Sequence, residues 1–286
     1  FEEKYLAEFQ MRADGSSNFP EGKRFGYFPS ISAGYRISEE AWFDVAFFDD
    51  LKFRASYGQL GNDNIGQFQY YDNYSFNNRY VIGDEVVTGI DLTRLANPNI
   101  TWEVAKKTDI AINAKWLGHF STEMVYFRQN RTDILINRNA SIPNVTGIVN
   151  PYDAQTLVPA ENIGAVDSNG FEASIGYQRK SRGNFDFNLM GNFTYAKNEI
   201  QFIDEAAGIP DYQRQTGRPM NTYLLYHATG IFQNQEEIDN TPSVPGAKPG
   251  DLIYEDLNGD GAITADDMYR TKYGNIPRIT FGLTFD

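Results

Sequence analysis

The chain has no cysteine and only two histidines among its 286 residues. Disulfide frameworks, thiolate nucleophiles and zinc-thiolate sites are therefore excluded, and imidazole chemistry could come only from His119 and His227. Neither histidine has a second histidine or a glutamate at the spacing of a metal site, and no nucleophile with a neighbouring base can be assembled. The sequence thus predicts no catalytic residue, and we expect a protein that is not an enzyme.

Basic residues are also scarce, because 25 Lys and Arg oppose 38 Asp and Glu and leave a formal net charge of −13. Nucleic-acid affinity comes mainly from clustered Lys and Arg that release counterions, so we expect no nucleic-acid partner. No apolar run approaches the roughly 18 to 20 residues of a membrane-spanning helix. The first residues show no basic and apolar stretch of the kind that forms an export signal.

The sequence does contain a recurrent alternation of apolar and polar residues. Successive side chains of a β-strand point to opposite faces, so the alternation predicts strands with one apolar and one polar face. It recurs at 5–12, 30–37, 51–57, 109–116, 120–126, 171–177, 185–195 and 279–285. The last run ends without a turn or a partner, and unpaired strands recruit other chains. We therefore expect the chain to be part of a longer protein.

Short turns alternate with long polar connections along the chain. The turns at 117–119 and 180–184 are short, whereas 61–100, 137–164 and 204–276 are long and rich in Gly, Asn and Asp. This layout is typical of a transmembrane β-barrel whose apolar face meets lipid and whose polar face lines the lumen. The alternative is a large soluble all-β protein whose apolar faces pack on one another.

Specific residues follow from the barrel interpretation. Lys106 is the only charged residue that the alternation places on the lipid face, near a strand end from which it can reach the interface. Trp102, Tyr27 and Tyr57 are expected in an interfacial aromatic girdle.

Six ordered stretches carry a resemblance to a known family. They are RADGSSNF at 12–19, RFGYFPSISAGYRIS at 24–38, LKFRASYG at 51–58 with Gly61-Asn62, NPNITWE at 97–103, ENIG at 161–164 with NGFE at 169–172, and PGDLIY at 249–254 running into DLNGDG at 256–261. Because their order and spacing extend over nearly the whole chain, the sequence resembles the SusC/RagA family of TonB-linked outer-membrane proteins, and specifically the middle of their barrel.

The resemblance implies an all-β fold in which residues 1–286 form part of an antiparallel transmembrane barrel of about 22 strands. It implies TonB-energised import of oligosaccharides or peptides across the outer membrane of a Gram-negative bacterium. The implied partners are a SusD-like surface lipoprotein, outer-membrane lipid, and TonB, which would be reached through an N-terminal part. The family's signal peptide, TonB box, plug domain and closing strands are not in this sequence, so this segment alone is not expected to transport.

One alternative function remains open at this point. A soluble or secreted, calcium-stabilised β-rich carbohydrate-binding or adhesin module would also account for alternating strands and a calcium loop. Such a module would fold in buffer without detergent.

One motif carries metal chemistry. Residues 256–267 match the calcium-loop pattern D-x-[DN]-x-[DN]-G, with Gly261 at the sharp turn, Ile263 as an apolar anchor and Asp rather than Glu at position 12, as in dockerin-type loops. The expected cofactor is Ca2+. Its predicted ligands are oxygens of Asp256, Asn258, Asp260, Ala262 (backbone carbonyl), Thr264 and Asp267. The alternative is a succession of Asn-Gly and Asp-Gly turns that binds nothing.

The predicted substrate-binding residues lie in the loop 61–100. Its aromatic residues suit stacking on sugar rings and equally suit packing within the loop, and the candidates are Phe68, Tyr70, Tyr71 and Tyr74. If short turns are periplasmic, the loops 13–26, 61–100 and 137–164 are extracellular. For 204–276, either residues 223–232 span the bilayer or the whole segment is one external excursion, and we favour the excursion.

Overall fold

The computed structural model describes residues 2–76, 79–138, 140–148, 157–179 and 186–286. The chain divides into two compact units, one of residues 1–204 with 277–286 and one of residues 205–276. The predicted turn at 180–184 and residue 185 lie outside the described residues.

Almost all of the regular secondary structure among the described residues is β-strand. The strands are β1 (Tyr5–Gly15), β2 (Phe25–Arg36), β3 (Phe48–Asn62), β4 (Asn73–Ser75), β5 (Arg79–Ile82), β6 (Glu85–Thr88), β7 (Asp91–Arg94), β8 (Glu103–Trp116), β9 (Phe120–Asn137), β10 (Ala160–Arg179), β11 (Phe187–Phe202), β12 (Thr222–Tyr226), β13 (Ala228–Ile231), β14 (Leu252–Tyr254), β15 (Met268–Gly274) and β16 (Ile279–Phe285). A six-residue helix, α1 (Gln235–Asn240), and three 3-10 turns, Ile37–Glu39, Asn144–Thr146 and Ala265–Asp267, complete the elements. No helix among the described residues is long and apolar enough to cross a membrane.

The first unit is built on an eight-stranded antiparallel meander. Its order is β1-β2-β3-β8-β9-β10-β11-β16, so every strand pairs with the one that precedes it in the sheet. β1 has 11 residues and β10 has 20, compared with a usual length of about 5 or 6. The tight turn after β8 places Gly118 at φ +70, a conformation that glycine adopts without a Cβ penalty.

The strand register joins the alternation of each strand into two continuous faces. One row of paired residues crosses the sheet through Phe53, Ile112, Met124, Ala173, Phe193 and Phe281. The neighbouring row, on the opposite face, runs through Lys52, Asn113, Glu123, Ser174, Asn192 and Gly282. A shift of one residue in any strand would exchange the two faces, so the pairing keeps the apolar and polar sets apart.

The three longest connections leave the sheet at one end. They follow β3, β9 and β11, together with residues 16–24 after β1, whereas the opposite end carries the connections after β2 (37–47), β8 (117–119) and β10. β11 pairs directly with β16, so residues 203–278 form one excursion between neighbouring strands. The possibility that 223–232 is a further strand of the sheet is therefore wrong, because β12 pairs with β15 and β13 with β14 in separate two-stranded sheets.

The second unit is assembled from short elements. The β12–β15 and β13–β14 pairs carry it, and Phe232 and Ile263 are its buried apolar side chains. The helix α1 begins after Asn234, whose side chain accepts a hydrogen bond from the Glu237 amide at 2.9 Å. This contact satisfies one of the backbone donors that a helix leaves unpaired at its start.

Candidate functional site

Among the described residues, the large side chains on the apolar face of the sheet are exposed. Phe281 is 84% exposed and Met124 is 45% exposed, although both lie in a middle row of the paired sheet. Large contiguous apolar surfaces on proteins mark contact with another protein or with a membrane. The face is therefore built to contact an apolar environment outside this chain.

A belt of aromatic rings borders this face at the short-turn end. Adjacent ring centroids lie 4.1 to 6.2 Å apart from strand to strand, through Phe47, Trp116, Phe120, Tyr177, Phe187 and Phe285. Aromatic girdles mark the membrane interface of β-barrels. The sequence predicted an aromatic girdle but not these members of it, although the rings that flank the turn at 117–119 were a visible signal.

The polar face presents fixed charges. The Arg54 guanidinium pairs with Glu123 and donates from Nε to Asn113 Oδ1 at 2.6 Å, while Lys107 Nζ lies 3.4 Å from Asp109 Oδ1. A groove of about 730 Å³ runs along this face beside Arg54 and Asp109. The face can therefore line an aqueous or polar space.

Four buried side chains pack where the loops enter the sheet. This rim cluster consists of Phe19, Phe28, Ile100 and Trp102. The Trp102 ring lies 4.9 Å from that of Phe19 and 5.5 Å from that of Phe28, and Trp102 is only 7% exposed. The prediction of Trp102 in an interfacial girdle is wrong, because the residue precedes β8 and does not follow its alternation. Tyr27 and Tyr57 are exposed, as expected.

Two asparagines fasten the rim cluster to neighbouring chain segments. Asn97 Nδ2 donates to the Ala160 carbonyl at 2.6 Å. Asn162 donates to the carbonyls of Thr101 and Asp133, both at 2.8 Å, and accepts from the Thr101 amide at 2.9 Å. Four of the six stretches that carry the family resemblance thus meet in one junction. They are 12–19, 24–38, 97–103 and 161–164.

The predicted substrate-binding aromatics are partly brought together. Phe68 and Tyr71 flank Tyr70 with ring centroids 6.2 and 4.4 Å away. The Tyr70 hydroxyl donates to the Ser17 carbonyl at 3.3 Å and its ring packs on the rim cluster, so Tyr70 has a structural role. Phe68, Tyr71 and Tyr74, which lies in β4, are exposed and available to a ligand.

The predicted calcium loop folds around its first carboxylate. Asp256 accepts from the amides of Gly259 at 2.7 Å and Gly261 at 2.8 Å. Gly261 adopts φ +84, and Ile263 is buried, as the motif requires. Asp260 Oδ1 accepts from the Ala262 amide at 2.9 Å, and Asn258 Nδ2 donates to Asp260 Oδ2 at 2.9 Å.

Asp267 closes the same loop. It is fully buried and accepts from the amides of Thr264 at 2.8 Å, Leu257 at 2.9 Å and Asn258 at 3.4 Å. These hydrogen bonds, that from Thr264 above all, hold the pKa of Asp267 below its usual value despite burial. Asp267 Oδ1 already accepts two of these amides, so the acceptor capacity left for a cation lies on Oδ2, which accepts from the Thr264 amide.

Other groups offer less chemistry. In the described ranges, no group of three or more His, Cys, Asp or Glu side chains is placed to hold a metal ion. A calcium site at 256–267 would therefore depend on the mixed oxygen donors of the motif. His227 does have a carboxylate neighbour, contrary to expectation, because strand pairing brings Glu255 Oε2 to 2.6 Å from its Nδ1.

The apolar face of the sheet, called the outward face from here on, carries more charged residues than the sequence predicted. Lys106 is exposed near the start of β8, as expected. The same face of β9, β10 and β11 also carries Arg128, Asp167, Lys197 and Glu199, all beyond the last apolar row. The expectation of a single charged residue on this face is wrong, because the strands continue past the apolar band.

Comparisons with known proteins agree with this architecture. The family model described as TonB dependent receptor-like, beta-barrel, matches residues 1–285. TonB-dependent receptor SusC of Bacteroides thetaiotaomicron is 32% identical over 280 residues, which cover 94% of this chain and 27% of SusC. TonB-dependent receptor P26 of Formosa agariphila is 30% identical over 294 residues, which cover 99% of this chain and 28% of P26.

A solved structure of the RagAB peptide transporter has the same fold, with a TM-score of 0.74, 21% identity, and coverage of 99% of this chain and 30% of that chain. The chain thus spans less than a third of the length of the relatives it matches. These relatives are receptors and transporters, which confirms the prediction that the chain is not an enzyme. The chain belongs to the TonB-dependent receptor family of SusC/RagA type, as part of its β-barrel.

Proposed function

We propose that this chain forms part of the barrel wall of an importer in the outer membrane of a Gram-negative bacterium. The observation that carries the proposal is the continuous division of the eight-stranded sheet into an uncovered apolar face and a charged polar face. The apolar face would contact lipid and the polar face the lumen. With the short turns on the periplasmic side, the long loops and residues 203–278 lie outside the cell.

Within the whole protein, the transport step would be energised by TonB and would take up oligosaccharides, with peptides as the alternative. The 32% identity to SusC supports a receptor of SusC type. RagAB is by its description a peptide transporter, and it supports the alternative substrate class. A SusD-like surface lipoprotein would be the extracellular partner. The exposed rings of Phe68, Tyr71 and Tyr74 offer flat apolar surfaces of the kind that stack on sugar rings.

The test uses the full-length parent protein in its own cells. Substituting Phe68, Tyr71 and Tyr74 together with Ala should strongly reduce uptake of labelled oligosaccharides at unchanged abundance in the outer-membrane fraction. Val81→Ala with Val86→Ala, two exposed positions of the same loop, is the matched control. Unchanged uptake of oligosaccharides together with reduced uptake of peptides would identify peptides as the substrate class instead. A parent protein absent from the outer-membrane fraction would contradict the location.

Residues 256–267 are proposed to hold Ca2+. The ligands would be oxygens of Asp256, Asn258, Asp260, Thr264 and Asp267 and the Ala262 carbonyl, which are the hard oxygen donors that Ca2+ prefers. The bound ion would supply a structural cross-link within the 205–276 unit. The support is the backbone of the loop, in which Gly261, Ile263 and Asp267 already occupy the positions that the motif demands.

Calcium binding is tested on the full-length protein in detergent. Adding Ca2+ should slow proteolysis within 205–276, and Asp256→Asn with Asp260→Asn should abolish that protection. Asp266→Asn is the matched control, because Asp266 is an exposed neighbour of the buried Asp267. Equal protection of all three proteins by Ca2+ would reject the site.

A further inference from the structure

Cations lie on the outward face of the sheet where its apolar band ends. The last apolar row passes through Ile110, Tyr126, Phe171 and Tyr195. The next outward row towards the loops passes through Thr108, Arg128, Asn169 and Lys197. Lys106 follows one outward position further along β8, opposite Asn130. The change from apolar to cationic therefore occurs within one step of the strand alternation.

Arg128 lies between the two lysines, whose own backbones are about 16 Å apart, and can share a ligand with either of them. Arg128 and Lys197 are separated by the single strand β10, which puts their backbones about 10 Å apart. Lys106 lies on the strand next to Arg128 and two residues further along, at a backbone distance of about 8 Å. All three side chains are exposed. Long Lys and Arg side chains can converge over such distances.

Carboxylates on the same face neutralise only part of this charge. Asp167 lies 3.5 Å from Arg128 and accepts from Asn130 Nδ2 at 2.6 Å, and Glu199 accepts from Gln201 at 3.3 Å. Asp167 and Glu199 are paired with each other across β10 and β11, one outward row farther from the apolar band. Within the part of the chain that the structure describes, Lys106 and Lys197 have no carboxylate partner. The row that meets the apolar band thus carries only positive charge, at Arg128 and Lys197, whereas Lys106 shares the next row with Asp167 and Glu199.

We propose that Arg128, Lys197 and Lys106 bind the phosphate groups of an anionic lipid in the outer leaflet, with its acyl chains against the apolar rows through Tyr126 and Tyr195. A lipid has this order of chemistry along its length, because phosphate follows directly on the apolar chains. Guanidinium groups bind phosphate through paired hydrogen bonds, and each cation near an anionic membrane surface adds to the affinity. The inference rests on the proposed membrane location of the barrel.

The experiment measures lipid binding by the full-length protein in detergent. Bisphosphorylated lipid A is titrated against the wild type and against the variant Lys106→Gln, Arg128→Gln, Lys197→Gln. The control variant Lys52→Gln, Lys107→Gln, Lys115→Gln removes the same charge from the polar face, and its Lys107 is the sequence neighbour of Lys106. We expect roughly 100-fold weaker binding for the outward variant, and a change of about twofold or less for the control, since the sheet and solvent screen it.

Further arms separate the sources of phosphate and guard against misfolding. Fully dephosphorylated lipid A should bind the wild type as weakly as the outward variant binds the phosphorylated lipid, and inorganic phosphate should not compete. Lys106→Arg with Lys197→Arg should retain the affinity. If the triple variant does not fold, Lys106→Gln and Lys197→Gln are measured singly, and each should weaken binding several-fold.

Several outcomes would overturn the inference. Undiminished binding by the outward variants, equal losses in outward and control variants, or full competition by inorganic phosphate would each do so. Failure of the proposed location is distinguishable, because the parent protein would then be absent from the outer-membrane fraction whatever its lipid affinity.

Discussion

The large sheet and the 205–276 unit reach stable structures in different ways. The sheet has strands of up to 20 residues and an apolar face whose described side chains are exposed, so its stability depends on an apolar environment at that face. The 205–276 unit has strands of 3 to 7 residues and closes around Phe232, Ile263 and Asp267. Local polar contacts stabilise this unit. They do not depend on a lipid environment, but the loss of a single hydrogen-bond acceptor weakens them.

The largest expected effect is in the rim cluster, which holds the buried aromatic side chains among the described residues of the sheet unit. Trp102→Ala should lower the free energy of unfolding by about 3–5 kcal/mol, because a large buried ring is removed from contact with Phe19 and Phe28. Denaturant titration of the full-length protein folded into vesicles measures the change. Trp42→Ala is the control, because Trp42 is 66% exposed and should cost much less. Equal losses would mean that the rim cluster does not stabilise the barrel.

A charge on the apolar face tests whether lipid stabilises the sheet. Phe193→Lys should destabilise the vesicle-embedded protein by roughly 2–4 kcal/mol, the cost of a lysine near the bilayer midplane. Asn192→Lys places the same side chain one residue away on the polar face and should cost little. Both are measured by the same titration in vesicles. If the two substitutions cost the same, the apolar face does not meet hydrocarbon.

The two units were also predictable from the sequence to different degrees. Alternation predicted the long strands and both faces, because a paired strand has a strict period of two. It failed at Trp102, whose neighbour Phe19 is far away in sequence and whose position precedes the strand. It also missed Arg128 and Lys197, since the pattern contains no signal for where the apolar band ends. In the second unit the turn chemistry of 256–267 was visible, whereas the pairing of β12 with β15 and of β13 with β14 was not.

A smaller effect is expected in the 205–276 unit from the loss of one buried acceptor. Asp267→Asn replaces an oxygen that faces backbone amides with an amino group, so it should cost about 1–3 kcal/mol locally. Hydrogen exchange of the full-length protein should show faster exchange at 257–264 and unchanged exchange in β8 to β11. Asp266→Asn should change neither. Faster exchange throughout the sheet would contradict the independence of the two units.

The smallest expected effect depends on pH and concerns Glu205. Burial alone would raise the pKa of Glu205, but hydrogen bonds from the Gln215 amide at 2.6 Å and the Thr216 hydroxyl at 2.7 Å lower it below its usual value. A depressed folded-state pKa stabilises above the unfolded value of 4.5, and this stabilisation is lost as pH falls through the folded value.

Protease resistance of the loop 205–216 should therefore decrease as the pH falls below about 4.5. Glu205→Gln should abolish that pH dependence, because glutamine cannot titrate. Glu236→Gln on α1 is the exposed control and should leave the pH dependence unchanged. Since Glu205 lies outside the sheet, the unfolding of the barrel should not follow the same pH curve. A common curve for loop and barrel would show that the two units lose their structure together.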